Sequence, residues 1–163
     1  MNEKRFGITD APKEPKLYSV PIYRISLIRD GKQATRTAKI RSSRDARDVL
    51  AAYLGDVDRE SFVVLLLDQK NGIIGIHTVS TGSLSASIVH PREVLKPCIL
   101  SNAAAFIGGH NHPSGDPQPS REDRALTERL VAAGKLMGIA MLDHIVVGDG
   151  TEKYFSFADE GCL

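Results

Sequence analysis

Residues 103–130 read AAAFIGGHNHPSGDPQPSREDRALTERL. A small apolar run ends on two histidines one residue apart, three prolines follow, and Ser120 stands three places ahead of Asp123 where a helical pattern begins. AAAFIGG predicts a short strand that ends at His110. Side chains at i and i+2 of an extended segment share a face, so His110 and His112 are expected to converge on one point while Asn111 turns away. Pro113, Pro117 and Pro119 remove backbone freedom from the connection. Ser120 is then expected to begin a helix that runs to Gly138 and carries Asp123 in its first turn.

The rest of the chain supplies partners for that strand and helix. SFVVLLLD (61–68) is a continuous apolar run suited to a strand covered on both faces, and Asn71-Gly72 turns it into IIGIHTVS (73–80), a hairpin expected at the sheet centre. HPREVLKPCILSNA (90–103) reads as a helix with Pro91 in its first turn, and Pro97, which has no N–H for the carbonyl of Glu93, predicts a kink or restart. SSRDARDVLAAYLG (42–55) reads as an amphipathic helix capped by Ser42 or Ser43, apolar at Ala46, Val49, Leu50, Tyr53 and Leu54, and stopped at Gly55. IYRISLIR and QATRTAKI flank Asp30-Gly31 and predict a β-hairpin. MLDHIVVGD and KYFSFAD predict closing strands around a GDG turn. Residues 1–18 are polar, carry Pro12 and Pro15, and predict a flexible arm. The expected organisation is one domain over 19–163, including the hairpin and helix at 20–55. Its expected class is α/β (mixed α+β), a single mixed β-sheet flanked by helices.

At 163 residues, 42% hydrophobic and 25% charged, the chain has the size and composition of one globular domain with a proper core. No apolar run approaches the roughly 18 residues of a membrane span, so no membrane partner is expected. The two cysteines, Cys98 and Cys162, are too few for a disulfide framework, and MNEKRFGITDAPKEPK lacks the apolar stretch of a secretory signal, so a cytoplasmic location is expected. The net charge of +1 is uneven: Arg24 to Arg47 holds eight basic residues against Asp30 and Asp45, a local +6. Such a window suits a nucleic-acid contact, yet it equally suits a solvated surface, and no aromatic residues interleave it as stacking platforms. The oligomeric state is not legible.

Two histidines and a carboxylate form the ligand set of a catalytic zinc site, whose fourth position is left to water. Zinc acidifies that water and polarises a carbonyl, so hydrolysis is the implied reaction. Other readings stand beside this one. An HxH pair often lines a surface or a core, and Ser120 with Asp123 is also the pattern of a helix capping box. His144, in LDHIVVGD, has apolar neighbours and reads as a core or supporting histidine rather than a fourth ligand. His77 and His90 have no partner pattern, and Cys98 lies on a helix with no histidine near it in sequence. Gly108-Gly109 lacks the Gly-Lys-Ser of a phosphate loop and suits close strand packing.

The string His110-Asn111-His112-Pro113, Gly115, Ser120 and Asp123 resembles the JAMM signature of the MPN/JAB metalloprotease family: HxH, seven residues, SxxD, with proline directly after the second histidine. HPREVLK, the 103–130 stretch and LDHIVVGDG resemble specifically the RadC branch of JAB-domain proteins, over about Ser42 to Leu163. The resemblance implies a cytidine-deaminase-like JAB/MPN fold, one zinc per chain held by His110, His112 and Asp123, and a zinc metallopeptidase or isopeptidase activity. It also implies an upstream glutamate at the start of a strand as general base. Glu60, 50 residues before His110 at the head of the 61–68 strand, takes that role ahead of Glu93, which stands 17 residues before His110 on a helix. By the same resemblance Ser120 helps hold the carbonyl oxyanion. The implied partner is a peptide or protein, such as a ubiquitin-like tail. The helix-hairpin-helix region that usually precedes the RadC domain is not expected in the short N-terminal segment. A second expectation is a DNA-associated accessory protein, in repair or on a mobile element, whose JAMM site is structural or vestigial.

Overall fold

The computed structural model describes residues 19–55, 59–82 and 89–163, so the arm expected over 1–18 lies outside the described residues. The elements follow in chain order as α1 (Ser43–Leu54), β1 (Ser61–Leu67), β2 (Ile73–Thr81), α2 (Pro91–Leu100), β3 (Ala105–His112), α3 (Arg121–Met137), β4 (Ala140–Gly148) and β5 (Tyr154–Ser156). The five strands form one mixed sheet in the order β2-β1-β3-β4-β5, with β3 and β4 parallel and the other neighbours antiparallel. Among the described residues no helix is long and apolar enough to cross a membrane.

The apolar run of β1 explains the layering. Successive side chains of a strand point to opposite faces. Phe62, Val64 and Leu66 accordingly pack with Val94 and Cys98 of α2 and Leu126 and Leu130 of α3. Val63, Leu65 and Leu67 pack on the other side with Ala46, Val49, Leu50 and Leu54 of α1. The sheet is thus covered on both faces, as the mixed α+β reading requires.

Three expectations are corrected. The centre of the sheet is β3, and the β1–β2 hairpin forms one end of it. β2 interleaves Gly75, His77 and Thr78 with its apolar residues and is mostly half-buried, which suits an edge, whereas the fully buried β1 needs a strand on each side. The hairpin expected within 20–41 does not form: residues 19–38 carry no strand, and only Lys39 makes a bridge, to Gly72. Its strand-like apolar residues, including Ile22, Ile25, Leu27 and Ile28, are exposed. Two strands without a third or a helix to cover them bury too little surface to offset their ordering. Finally, α2 runs from Pro91 to Leu100 without a restart at Pro97, which is buried inside it.

At Gly109 α1 packs tightly on the sheet, since a Cβ there would stand 2.7 Å from both Leu50 methyl carbons. Gly109→Ala is expected to lower the unfolding free energy by about 1–3 kcal/mol through overpacking. The loss should shrink in a Leu50→Ala background, where the space is free. Urea unfolding of the two single variants and the double variant checks this, and additive losses would remove the contact from the account.

Candidate metal centre

The strand register builds the site. Phe62 of β1 lies opposite His110 of β3 in an antiparallel ladder. Continued two residues beyond the ladder's last pair, the same register sets Glu60 across from His112 on the same face. Glu60 Oε1 is 4.0 Å from His112 Nε2, and Glu60, His110 and His112 offer ligand atoms all within 4.8 Å of one another. The first turn of α3 adds Asp123, with Oδ1 3.3 Å from His110 Nε2 and Oδ2 3.6 Å from His112 Nε2. Three segments distant in sequence therefore meet at one end of β3.

His110 and Asp123 are buried, while Glu60 and His112 are partly open to solvent. The two Nε2 atoms of His110 and His112 face each other at 3.0 Å. His112 Nδ1 lies 2.7 Å from the carbonyl oxygen of Asp116, which can only accept, so Nδ1 carries a proton and Nε2 of the neutral ring is a bare lone pair. Two imidazole nitrogens and a carboxylate so placed call for a positive charge between them. In the metal-free chain that charge is a proton. The hydrogen bond to Asp123 raises the pKa of His112 above 6.5, against the opposing effect of burial and with help from the Asp116 carbonyl and the charges of Asp123 and Glu60. Burial pushes the Asp123 pKa upward, but contact with the His110 and His112 rings and the hydrogen bond from Ser120 outweigh it and hold the carboxyl well below the usual carboxylate range. This donor set, two nitrogens and carboxylate oxygen, fits zinc.

Ser120 is the N-cap of α3, and its capping box with Asp123 is formed. Asp123 N–H donates to Ser120 Oγ at 3.1 Å, while Ser120 N–H and O–H both donate to Asp123 Oδ2, at 2.7 and 2.6 Å. The cap and the cluster thus share one carboxylate. Glu93 pairs instead with Lys96 and Arg92 on α2. His90 caps α2, accepting from Arg92 N–H at 3.2 Å. Cys98 is sealed in the core, where burial pushes its thiol up to about 12, far from a reactive thiolate.

Three residues around the site carried no chemical signal in the sequence. Asn111 is fully buried, and its Oδ1 accepts from Ser61 N–H at 2.8 Å while its Nδ2 donates to Arg59 O and Asp149 Oδ2. It pins the backbone on both sides of Glu60. Thr127 lies one helical turn beyond Asp123, and Asp149 belongs to the GDG turn. The only sequence cues were the i+4 spacing on α3 and the place of Asn111 between two histidines. His144 is fully buried and lies 2.9 Å from His110 Nδ1, so it supports the cluster from behind. Burial, followed by the charge of His110, depresses its pKa well below 6.5.

A family model described as the RadC-like JAB domain matches residues 40–162. The chain belongs to that family. The match begins at Ile40, beside the bonds that join this segment to the sheet, Ile73 N–H to Ala38 O and Ile40 N–H to Asn71 O, and takes in every helix and strand described above. Among curated relatives, a UPF0758 protein of Methanosarcina mazei is 51% identical over 123 residues, covering 76% of this chain and 53% of the relative. One from Rubrobacter xylanophilus is 49% identical over 124 residues, with 76% and 53% covered, and one from Pelobacter propionicus is 50% identical over 133 residues, with 82% and 57% covered. The chain spans about half the length of these relatives.

The His112–Asp123 pair links stability of the metal-free JAB domain to pH. His112 has a folded pKa above 6.5, so its contribution is complete below 6.5 and is lost as pH rises through the folded value. Asp123 is depressed below 3.8, so its contribution is present above 3.8 and lost only as pH falls through its low folded value. Above pH 6.5, metal-free protein is therefore expected to melt at progressively lower temperature as pH rises through the folded pKa of His112, and Asp123→Asn should flatten that slope. Calorimetry of both proteins in chelator checks it; equal slopes would dissolve the pair.

Proposed function

We propose that this JAB domain is a zinc-dependent metallopeptidase or isopeptidase that hydrolyses an amide bond. The observation carrying the reading is the pair of facing Nε2 atoms, with Asp123 beside them and Glu60 set across from His112 by strand register. In this reading His110, His112 and Asp123 hold one zinc per chain. Bound zinc supplies a Lewis acid and a water acidified toward neutrality. Glu60 Oε1 takes the proton of the attacking water and returns it to the leaving amine nitrogen, a role suited to a carboxylate that is half-buried and free to reach solvent. Asn111 keeps Glu60 in place by gripping Arg59 O and Ser61 N–H. Ser120 Oγ supports the carbonyl oxyanion. The substrate is a peptide or protein whose scissile segment reaches the open side occupied by Glu60 and His112, and a ubiquitin-like tail is one such segment.

The purified protein is expected to contain about one zinc per chain. Glu60→Gln should retain the metal while hydrolysis falls about 10²–10⁴-fold. Metal analysis together with cleavage of a peptide library, read by mass spectrometry, tests both. Full activity in Glu60→Gln would remove Glu60 from the mechanism, and loss of zinc would make it a ligand instead.

One observation favours a DNA-associated role. Seven of the eight basic residues between Arg24 and Arg47 are exposed, all but Arg47. Under this reading the chain binds DNA at low salt, and changing Arg36, Lys39 and Arg41 together to alanine weakens binding and makes its salt dependence shallower. Fluorescence anisotropy with duplex and single-stranded DNA decides it, and no binding at low salt would end the reading.

A further inference from the structure

We infer that Thr127 and His144 are positioning residues that set the tautomer of His110 and so aim its Nε2 lone pair into the cluster. This inference rests on the metal-centre reading above. Thr127 Oγ1 lies 2.7 Å from the backbone oxygen of Asp123 and 2.6 Å from His144 Nδ1. A hydroxyl has one proton, and a carbonyl oxygen can only accept, so the Thr127 proton goes to Asp123 O and a lone pair faces His144. His144 Nδ1 must then carry the hydrogen. Phe157 stacks on His144 at 4.9 Å between ring centroids and Phe62 meets it edge-on at 5.4 Å, sealing a ring that hydrogen-bonds no carboxylate among the described residues and is therefore neutral. Its Nε2 accepts, and the partner 2.9 Å away, His110 Nδ1, donates. The remaining nitrogen of His110 is left bare, facing His112 Nε2.

Direction enters this chain at one point, the carbonyl of Asp123. Helix α3 thus delivers two things in successive turns: the Asp123 carboxylate and, through Thr127, the proton order that makes His110 a ligand. A threonine hydroxyl bonded to the carbonyl four residues earlier is ordinary in helices. Its second contact, to a buried histidine behind a cluster histidine, is what gives it work here. Supporting hydrogen bonds of this kind fix both ring orientation and tautomer of a ligating histidine.

The test uses the full chain. With ring-labelled histidine and chelator present, long-range proton–nitrogen spectra should show His110 as the Nδ1–H tautomer. His110 found as the Nε2–H tautomer overturns the inference from the wild-type spectrum alone. Thr127→Val should erode the preference and weaken zinc binding about 10–100-fold in competition with a chelating dye, and Thr127→Ser should restore both. His144→Phe, which fills the same aromatic space, is the second variant and should weaken zinc similarly. Wild-type tautomer and zinc affinity in a folded Thr127→Val protein would also overturn it. These readouts are separate from hydrolysis: an inactive protein with the expected tautomer sinks the peptidase reading and leaves the relay, whereas an active one with the opposite tautomer does the reverse.

Discussion

Two bare imidazole nitrogens 3.0 Å apart, with a carboxylate beside them, repel unless a positive charge lies between them. The rest of the structure is arranged to hold that unfavourable convergence in place. β3 is the middle strand, laddered on one side to β1 and on the other to β4. His110 therefore cannot swing away without disturbing two ladders and the Phe62 ring stacked over it. His112 is tethered by its Nδ1 to the Asp116 carbonyl in the proline-stiffened loop. Asp123 is fixed by the helix cap. With every group prevented from relaxing, the cluster favours a cation, and in the metal-free chain a proton on His112 is the smallest that can serve.

The parts of this that could be read from the sequence were those encoded locally. The β1 run, the Ser120 cap, the Gly138 stop and the i, i+2 histidines each depend on neighbouring residues alone, and each is found where the sequence places it. Strand order depends on long-range pairing, so the β1–β2 hairpin looked central although only β1 is doubly flanked. The 20–41 segment has strand-like residues on both sides of Asp30-Gly31, but a pattern of apolar residues becomes a strand only when something covers it. Glu60 was visible as an acid at the head of a strand. The pairing of Phe62 with His110, which sets it across from His112, was not. Asn111 and Thr127 act through hydrogen bonds whose partners are distant in sequence, and their residue types announce no chemistry.

The capping-box reading of Ser120 with Asp123 and the metal-ligand reading of Asp123, which compete when only the sequence is considered, are compatible in the fold. One carboxylate has two oxygens and about four lone-pair directions. Oδ2 receives the Ser120 N–H and O–H, leaving Oδ1 directed at His110. The cap supplies rigidity. An acid in the first turn of a helix also sits at the positive end of the helix dipole, which helps keep it ionised in a buried place.

That sharing sets a condition on Ser120 in the proposed reaction. Its single hydroxyl proton is directed to Asp123 Oδ2, so it can donate to a substrate oxyanion only by leaving that bond. Oδ2 would not be stranded by the change, because the Ser120 N–H remains on it at 2.7 Å. A cation held there would draw charge from the carboxylate and loosen its hold on the hydroxyl, and a developing oxyanion would strengthen the competing pull. The hydroxyl can therefore serve the cap in the metal-free chain and the carbonyl oxygen during hydrolysis, with the backbone N–H keeping the helix capped in both.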